Sequence, residues 1–196
     1  MTESAPAEPG RARWVAPAVV VAAVAGTGGA LGALGGWLWY LWWAPAREGR
    51  IYRTAEGPRW FPNPWDPGQA QVFAGTAEFA IVGLGLGLLV GLLAGLLGRR
   101  LAFAGLVGLL LGTALAAGVA YLVGTAISPP DPQSLVDSEP VGATLPAAIE
   151  VSGWTPYLCW PLGGLLGFLV ATYLVSALDD VRRREADTSS WLEPGS

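Results

Sequence analysis

The chain has 196 residues, 53% of them hydrophobic and only 13% charged, which leaves no room for a soluble domain beside its apolar stretches. It has no His and a single Cys, Cys159, so neither an internal disulfide nor a Cys and His metal cluster can form, and no cofactor is expected. The net charge of −4 gives no basic face for nucleic acid.

Residues 1–14 read as a disordered N-terminal tail carrying Arg11 and Arg13. The first apolar run, Val19 to Trp43, contains no Asp, Glu, Lys or Arg. About 20 apolar residues suffice to cross the hydrocarbon of a bilayer as a helix. A secretory signal has an apolar region of only about 7 to 15 residues. This run continues into Trp37, Trp39, Tyr40, Trp42 and Trp43, so it predicts an uncleaved span whose far end lies in the headgroup layer.

The loop 44–73 interleaves Arg47, Arg50, Arg53 and Arg59 with Tyr52, Trp60, Phe61 and Trp65 and closes on Pro58, Pro62, Pro64 and Pro67. Glu48, Glu56 and Asp66 leave it one net positive charge. The residue types predict an ordered cap on the outer leaflet. The alternative is that Arg47, Arg50, Arg53, Arg59, Trp60 and Trp65 contact anionic headgroups, envelope polymers or a partner.

Glu78 directly precedes the second run, Phe79 to Leu97. A helix starting near Gly75 would put Glu78 in its first turn, favoured by the helix dipole, with Thr76 as a cap. A carboxylate bordering membrane depth is also a candidate proton or cation site. Within this run Gly83, Gly87, Gly91 and Gly95 recur at steps of four and form a smooth groove.

The third run, Leu101 to Val123, follows after only Gly98, Arg99 and Arg100, and carries Ala104, Gly108, Gly112, Ala116, Ala120 and Gly124 at the same step. Runs two and three are therefore expected to be tightly packed neighbours. Ala22, Gly26 and Ala30, as well as Ala25, Gly29 and Ala33, in run one, and Gly163, Gly167 and Ala171 in run four, supply further small faces. These close a compact bundle or, alternatively, form a homodimer face.

The second outer loop, 124–156, holds Asp131, Asp137, Glu139 and Glu150 with no basic residue. It reads as a solvated acidic loop, able to dock on the first loop by opposite charge. Its spacing follows no calcium-loop pattern. Pro129, Pro130 and Pro132 oppose helix there. The fourth run, Tyr157 to Leu178, opens with Trp154, Tyr157 and Trp160 nearby, and Cys159 reads as a small packing residue. The tail 179–196 carries Asp179, Asp180 and Arg182 to Arg184, with disorder expected over its last ten residues.

Arg-rich flanks face the cytoplasm. Seven Arg lie on the tails and the short turn, against four in loop 44–73, which predicts both termini inside. The expected fold class is all-α: an integral membrane four-helix bundle over 15–178.

The order of parts resembles a family of actinobacterial membrane proteins of unknown function. The shared features are a first span ending in Trp42, Trp43, Ala44 and Pro45, a glycine-rich second span introduced by Glu78 and Phe79, and an Arg turn at Arg99 and Arg100. The family pattern has Asp where this chain has Glu78. The resemblance implies a cell-membrane setting and carries over no functional residue.

The expected role is that of a non-enzymatic plasma-membrane protein, an accessory or interaction component of the cell envelope. Its partners are the lipid bilayer and another membrane protein or a second copy. The alternative is a small transporter or channel subunit using Glu78, against which stands the scarcity of polar residues inside the runs beyond Thr113 and Thr172.

Overall fold

The computed structural model describes residues 11–66 and 70–191, with side chains for 15–66 and 70–184. The chain is mostly helical: α1 (Arg11–Trp43), α2 (Ala70–Leu97), α3 (Ala102–Ile127) and α4 (Cys159–Trp191). All four are long and apolar enough to cross a membrane. At about 1.5 Å rise per residue the 33 residues of α1 reach about 50 Å, well beyond a hydrocarbon core of about 30 Å.

The helices outrun the apolar runs because nothing stops them. Helix α1 starts at Arg11, so residues 11–14 are helical rather than disordered, while the expectation for 1–10 lies outside the described residues. Helix α4 continues beyond the expected span through Asp179 and Arg184 to Trp191, so residues 187–191 are helical rather than disordered, while the expectation for 192–196 lies outside the described residues.

Helix α2 starts at Ala70, so Glu78 lies beyond its first turn. The carboxylate near the helix start is that of Asp66, whose Oδ2 accepts from Gln71 N at 3.3 Å. Thr76 does not cap α2; its hydroxyl oxygen accepts from Ser152 N at 3.0 Å.

The closest helix pairs are α1 with α3 and α2 with α4, each running in parallel, rather than the expected α2 with α3. Gly28, Gly32 and Gly36 of α1 lie against the backbone of Gly112, Ala116 and Ala120 in that order. Gly87 and Gly91 of α2 lie against the carbonyls of Trp160 and Gly164, and Gly95 against Ala171. The contact is reciprocal: Gly163 and Gly167 of α4 meet the carbonyls of Leu84 and Leu88. Gly108 and Gly112 meet Val24 of α1 rather than α2. Helices α2 and α3 touch beside their connecting turn, where Gly98 meets Gly105.

A β-sheet, absent from the all-α expectation, covers one end of the bundle. Strands β1 (Glu48–Thr54) and β2 (Gly57–Pro62) form a hairpin turned at Gly57, whose φ of 117° suits glycine. Strand β3 (Thr144–Pro146), from the segment between α3 and α4, pairs antiparallel with β1 and completes the order β2-β1-β3. The proline-rich stretch before it does hold one 3₁₀ turn, Pro132–Leu135, with Pro at its start, where a missing N–H costs nothing.

The aromatic residues expected to form one interfacial belt divide into two sets. Trp39, Trp43 and Trp160 are buried in a core with Phe79, while Trp37, Trp42 and Trp154 point outward. Helical spacing explains the split, since Trp39 and Trp43 share a face that Trp37 and Trp42 do not. Trp39 packs edge-on to Phe79 at 5.0 Å and donates through Nε1 to Gly75 O at 2.7 Å, tying α1 to α2. A smaller core of Val24, Val90, Ala94 and Leu109 fills the rest of the bundle.

Candidate functional site: a cavity beneath the cap

The two segments outside the helices do dock on each other, as expected, but through the backbone rather than by charge. Ile51 N donates to Ala143 O at 3.1 Å, Gly142 N to Ile51 O at 2.8 Å and Ala147 N to Arg47 O at 2.7 Å. Among the described residues no ion pair joins the two segments; Arg59 pairs instead with Glu56 at 2.7 Å inside the hairpin.

Strand alternation decides which side chains point inward. Gly49 and Ile51 are buried while Glu48, Arg50 and Tyr52 are exposed. Gly49 is required because the Trp60 ring lies across it, leaving no space for a Cβ. Trp60 is held from three sides: by pairing opposite Ile51, by Nε1 donating to Leu145 O at 3.1 Å, and by its N–H donating to Gln133 Oε1 at 3.3 Å.

These contacts leave a cavity of about 470 Å³ between the cap and the end of the bundle. Its aromatic walls are Trp43 at the end of α1, Trp60 and Phe61 on β2, and Trp65. Phe61 and Trp65 meet edge to face at 4.9 Å. Asp66, Asp131 and Glu150 also line it, and the remaining wall comes from Gln71 and Val72 of α2 with Ala147 to Ile149. No Arg lines it.

The sequence candidates distribute unevenly over this site. Trp60 and Trp65 are in its wall, whereas Arg47, Arg50, Arg53 and Arg59 are all exposed on the cap. Trp43, Asp66, Gln71, Asp131 and Glu150 were not singled out as a group, because they come from four separated stretches brought together by the strand β3 pairing. The local signal was the density of Trp and acid on the two loops.

The acids do not converge as ligands: no group of three His, Cys, Asp or Glu is positioned for a metal ion among the described residues. Asp131 Oδ1 accepts from Gln133 N at 2.9 Å and so caps the 3₁₀ turn. The arrangement is suited to holding a molecule by aromatic faces and negative field.

Glu78 is apart from this cavity. Its Oε2 is buried and accepts no hydrogen bond from the described residues, and the buried Trp160 Nε1–H donates none to them. The glycines at 83, 87, 91, 95, 108 and 112 serve helix contacts within the chain.

Comparison with family models, with curated proteins and with solved structures gives no match to this chain, so its function has to be argued from this geometry.

Proposed function

We propose that the chain is a non-enzymatic multi-pass protein of the bacterial plasma membrane, an accessory or interaction component of the cell envelope whose working surface is the cap. Membrane embedding is supported by large apolar side chains exposed along every helix, among them Val19, Leu38, Ile81, Leu89, Phe103, Leu111, Leu166 and Leu169. So extensive an apolar exterior suits lipid rather than water. The Arg distribution supports an orientation with both termini and the Arg99 to Arg100 turn in the cytoplasm and the cap outside.

The observation that carries the reading is the cap itself: both outer segments are folded together over a formed cavity. Of the small-residue faces considered from sequence as partner or homodimer surfaces, those of α2, α3 and α4 are occupied by contacts within the chain, whereas Ala22, Gly26 and Ala30 of α1 are exposed and a Cβ at Gly26 would meet nothing within 4 Å. The reading assigns partner contact to the cap and to Arg47, Arg50 and Arg53 on its exposed side, and leaves the open Ala22, Gly26 and Ala30 face of α1 to lipid or a second copy.

The experiment is extraction in native lipid discs through a tag on the C-terminus, followed by mass spectrometry. The proposal expects a stoichiometric second protein or a bound envelope component, lost when the β1–β2 hairpin is replaced by a short linker. A bare homo-oligomer whose composition ignores the hairpin would contradict it.

A transporter or channel subunit using Glu78 is the second reading, favoured by the buried, unpartnered Oε2. Against it, Thr113 is the buried polar residue of the bundle among the described residues, and its hydroxyl already donates to Leu109 O at 2.8 Å. Such an interior offers no polar path within one chain.

A further inference from the structure

We propose that the cavity beneath the cap binds a compact organic cation, an ammonium group bearing small alkyl substituents, against Trp43, Trp60, Phe61 and Trp65 and within the field of Asp66, Asp131 and Glu150. The inference rests on the reading of the cap as a binding surface and names the ligand class. A volume of about 470 Å³ is that of a small-molecule site.

Charge selects the ligand. The exposed side of the cap mixes its four Arg with Glu48, Glu56, Asp137 and Glu139, whereas the cavity wall holds three carboxylates and, among the described residues, no basic one. The backbone donors reaching Asp66 and Asp131 leave their charge in place, and Glu150 is exposed at the cavity wall with no hydrogen bond from a described side chain. A cation entering here is attracted by every charged group in the wall.

Ligand hardness follows from the positions of the acids. A bare metal ion needs converging oxygens, and these acids do not converge among the described residues. An alkylated ammonium is instead stabilised over aromatic faces, whose π-systems are negative at the face. A sugar would use its hydroxyls, yet among the described residues the cavity wall supplies one neutral amide side chain, Gln71. Trp43 closes the helix end of the cavity, so the same group can arrive as a free solute or as the headgroup of a lipid.

The test uses the full chain in phosphatidylglycerol discs, titrated with choline and with its uncharged isostere 3,3-dimethyl-1-butanol, and read by tryptophan fluorescence and calorimetry. Choline is expected to bind saturably and about tenfold or more tighter than the isostere, the margin a desolvated cation on aromatic faces gives. Glu150→Gln, at an exposed position, should weaken choline severalfold while leaving the melting temperature unchanged, and Trp65→Ala should weaken it severalfold with at most a few degrees lost with the Phe61 contact.

Equal affinity for choline and the isostere overturns the proposal, as does saturable binding of chitin oligosaccharides or calcium without choline. Repetition in phosphatidylcholine discs identifies the source within the supported case. Loss of the added-choline signal there assigns the lipid headgroup, and its retention assigns the free solute. A co-purifying partner without choline binding would refute this inference alone and leave the interaction reading standing.

Discussion

Trp60 joins the fold of the cap to its cavity: the ring that lies over Gly49 and donates to Leu145 O also forms part of the cavity wall. Its importance was half legible, since a Trp beside Arg59 and Phe61 in a segment between two apolar runs is an evident contact residue. Its partner was not, because Leu145 is 85 positions away and nothing local marks a three-residue strand ending in Pro146. Glu78 was legible as the acid at the edge of a span, but its setting was not. Its first-turn placement assumed a helix starting near Gly75, whereas α2 reaches back to Ala70.

A carboxylate oxygen that is buried without a donor gives up no hydrogen bond on neutralisation and is relieved of a desolvation cost. Glu78→Gln is therefore expected to leave the melting temperature in lipid discs unchanged or a few degrees higher. Proton and cation flux in reconstituted vesicles should match the parent chain. A flux present in the parent and abolished by this substitution would transfer the function to the second reading.

Among the helices, glycine spacing was read directly but pairing was not. The ridges of α2 and α3 have the same step of four, and the two-Arg connection makes them appear natural mates. A smooth ridge does not name its partner, though. The side chains opposite it do, and the α2 groove accommodates the Trp160 ring at Gly83 and the α4 backbone at Gly87 and Gly91, while Gly28 to Gly36 of α1 receive α3.

The sequence GLGLG from Gly83 to Gly87 tests this pairing. A Cβ at Gly87 would collide with Trp160 O, whereas one at Gly85 would have no neighbour within 4 Å. Gly87→Ala should cost about 1 to 3 kcal/mol through overpacking. Gly85→Ala should change stability by less than about 1 kcal/mol. Unfolding in mixed micelles measures both; equal effects at the two sites would contradict the α2–α4 contact.

For the whole molecule, four apolar helices follow plainly from four uncharged runs, because lipid-sized apolar stretches have few structural alternatives. The cap did not, because its strands carry a weak period-two signal: only Gly49 and Ile51 mark the inward side of β1. Its cavity exists only once the two segments outside the helices meet, which is why acids read separately as solvated loop charges line one space.

The central claim is that this cap faces the outside of the cell. The most direct measurement is labelling of intact cells with a membrane-impermeant maleimide, in a Cys159→Ala background carrying either Tyr52→Cys on β1 or Arg183→Cys on α4, both exposed positions. The account predicts that the Tyr52→Cys chain is labelled in intact cells and the Arg183→Cys chain only after permeabilisation. Labelling in the reverse pattern would contradict it, placing the cap and its cavity in the cytoplasm.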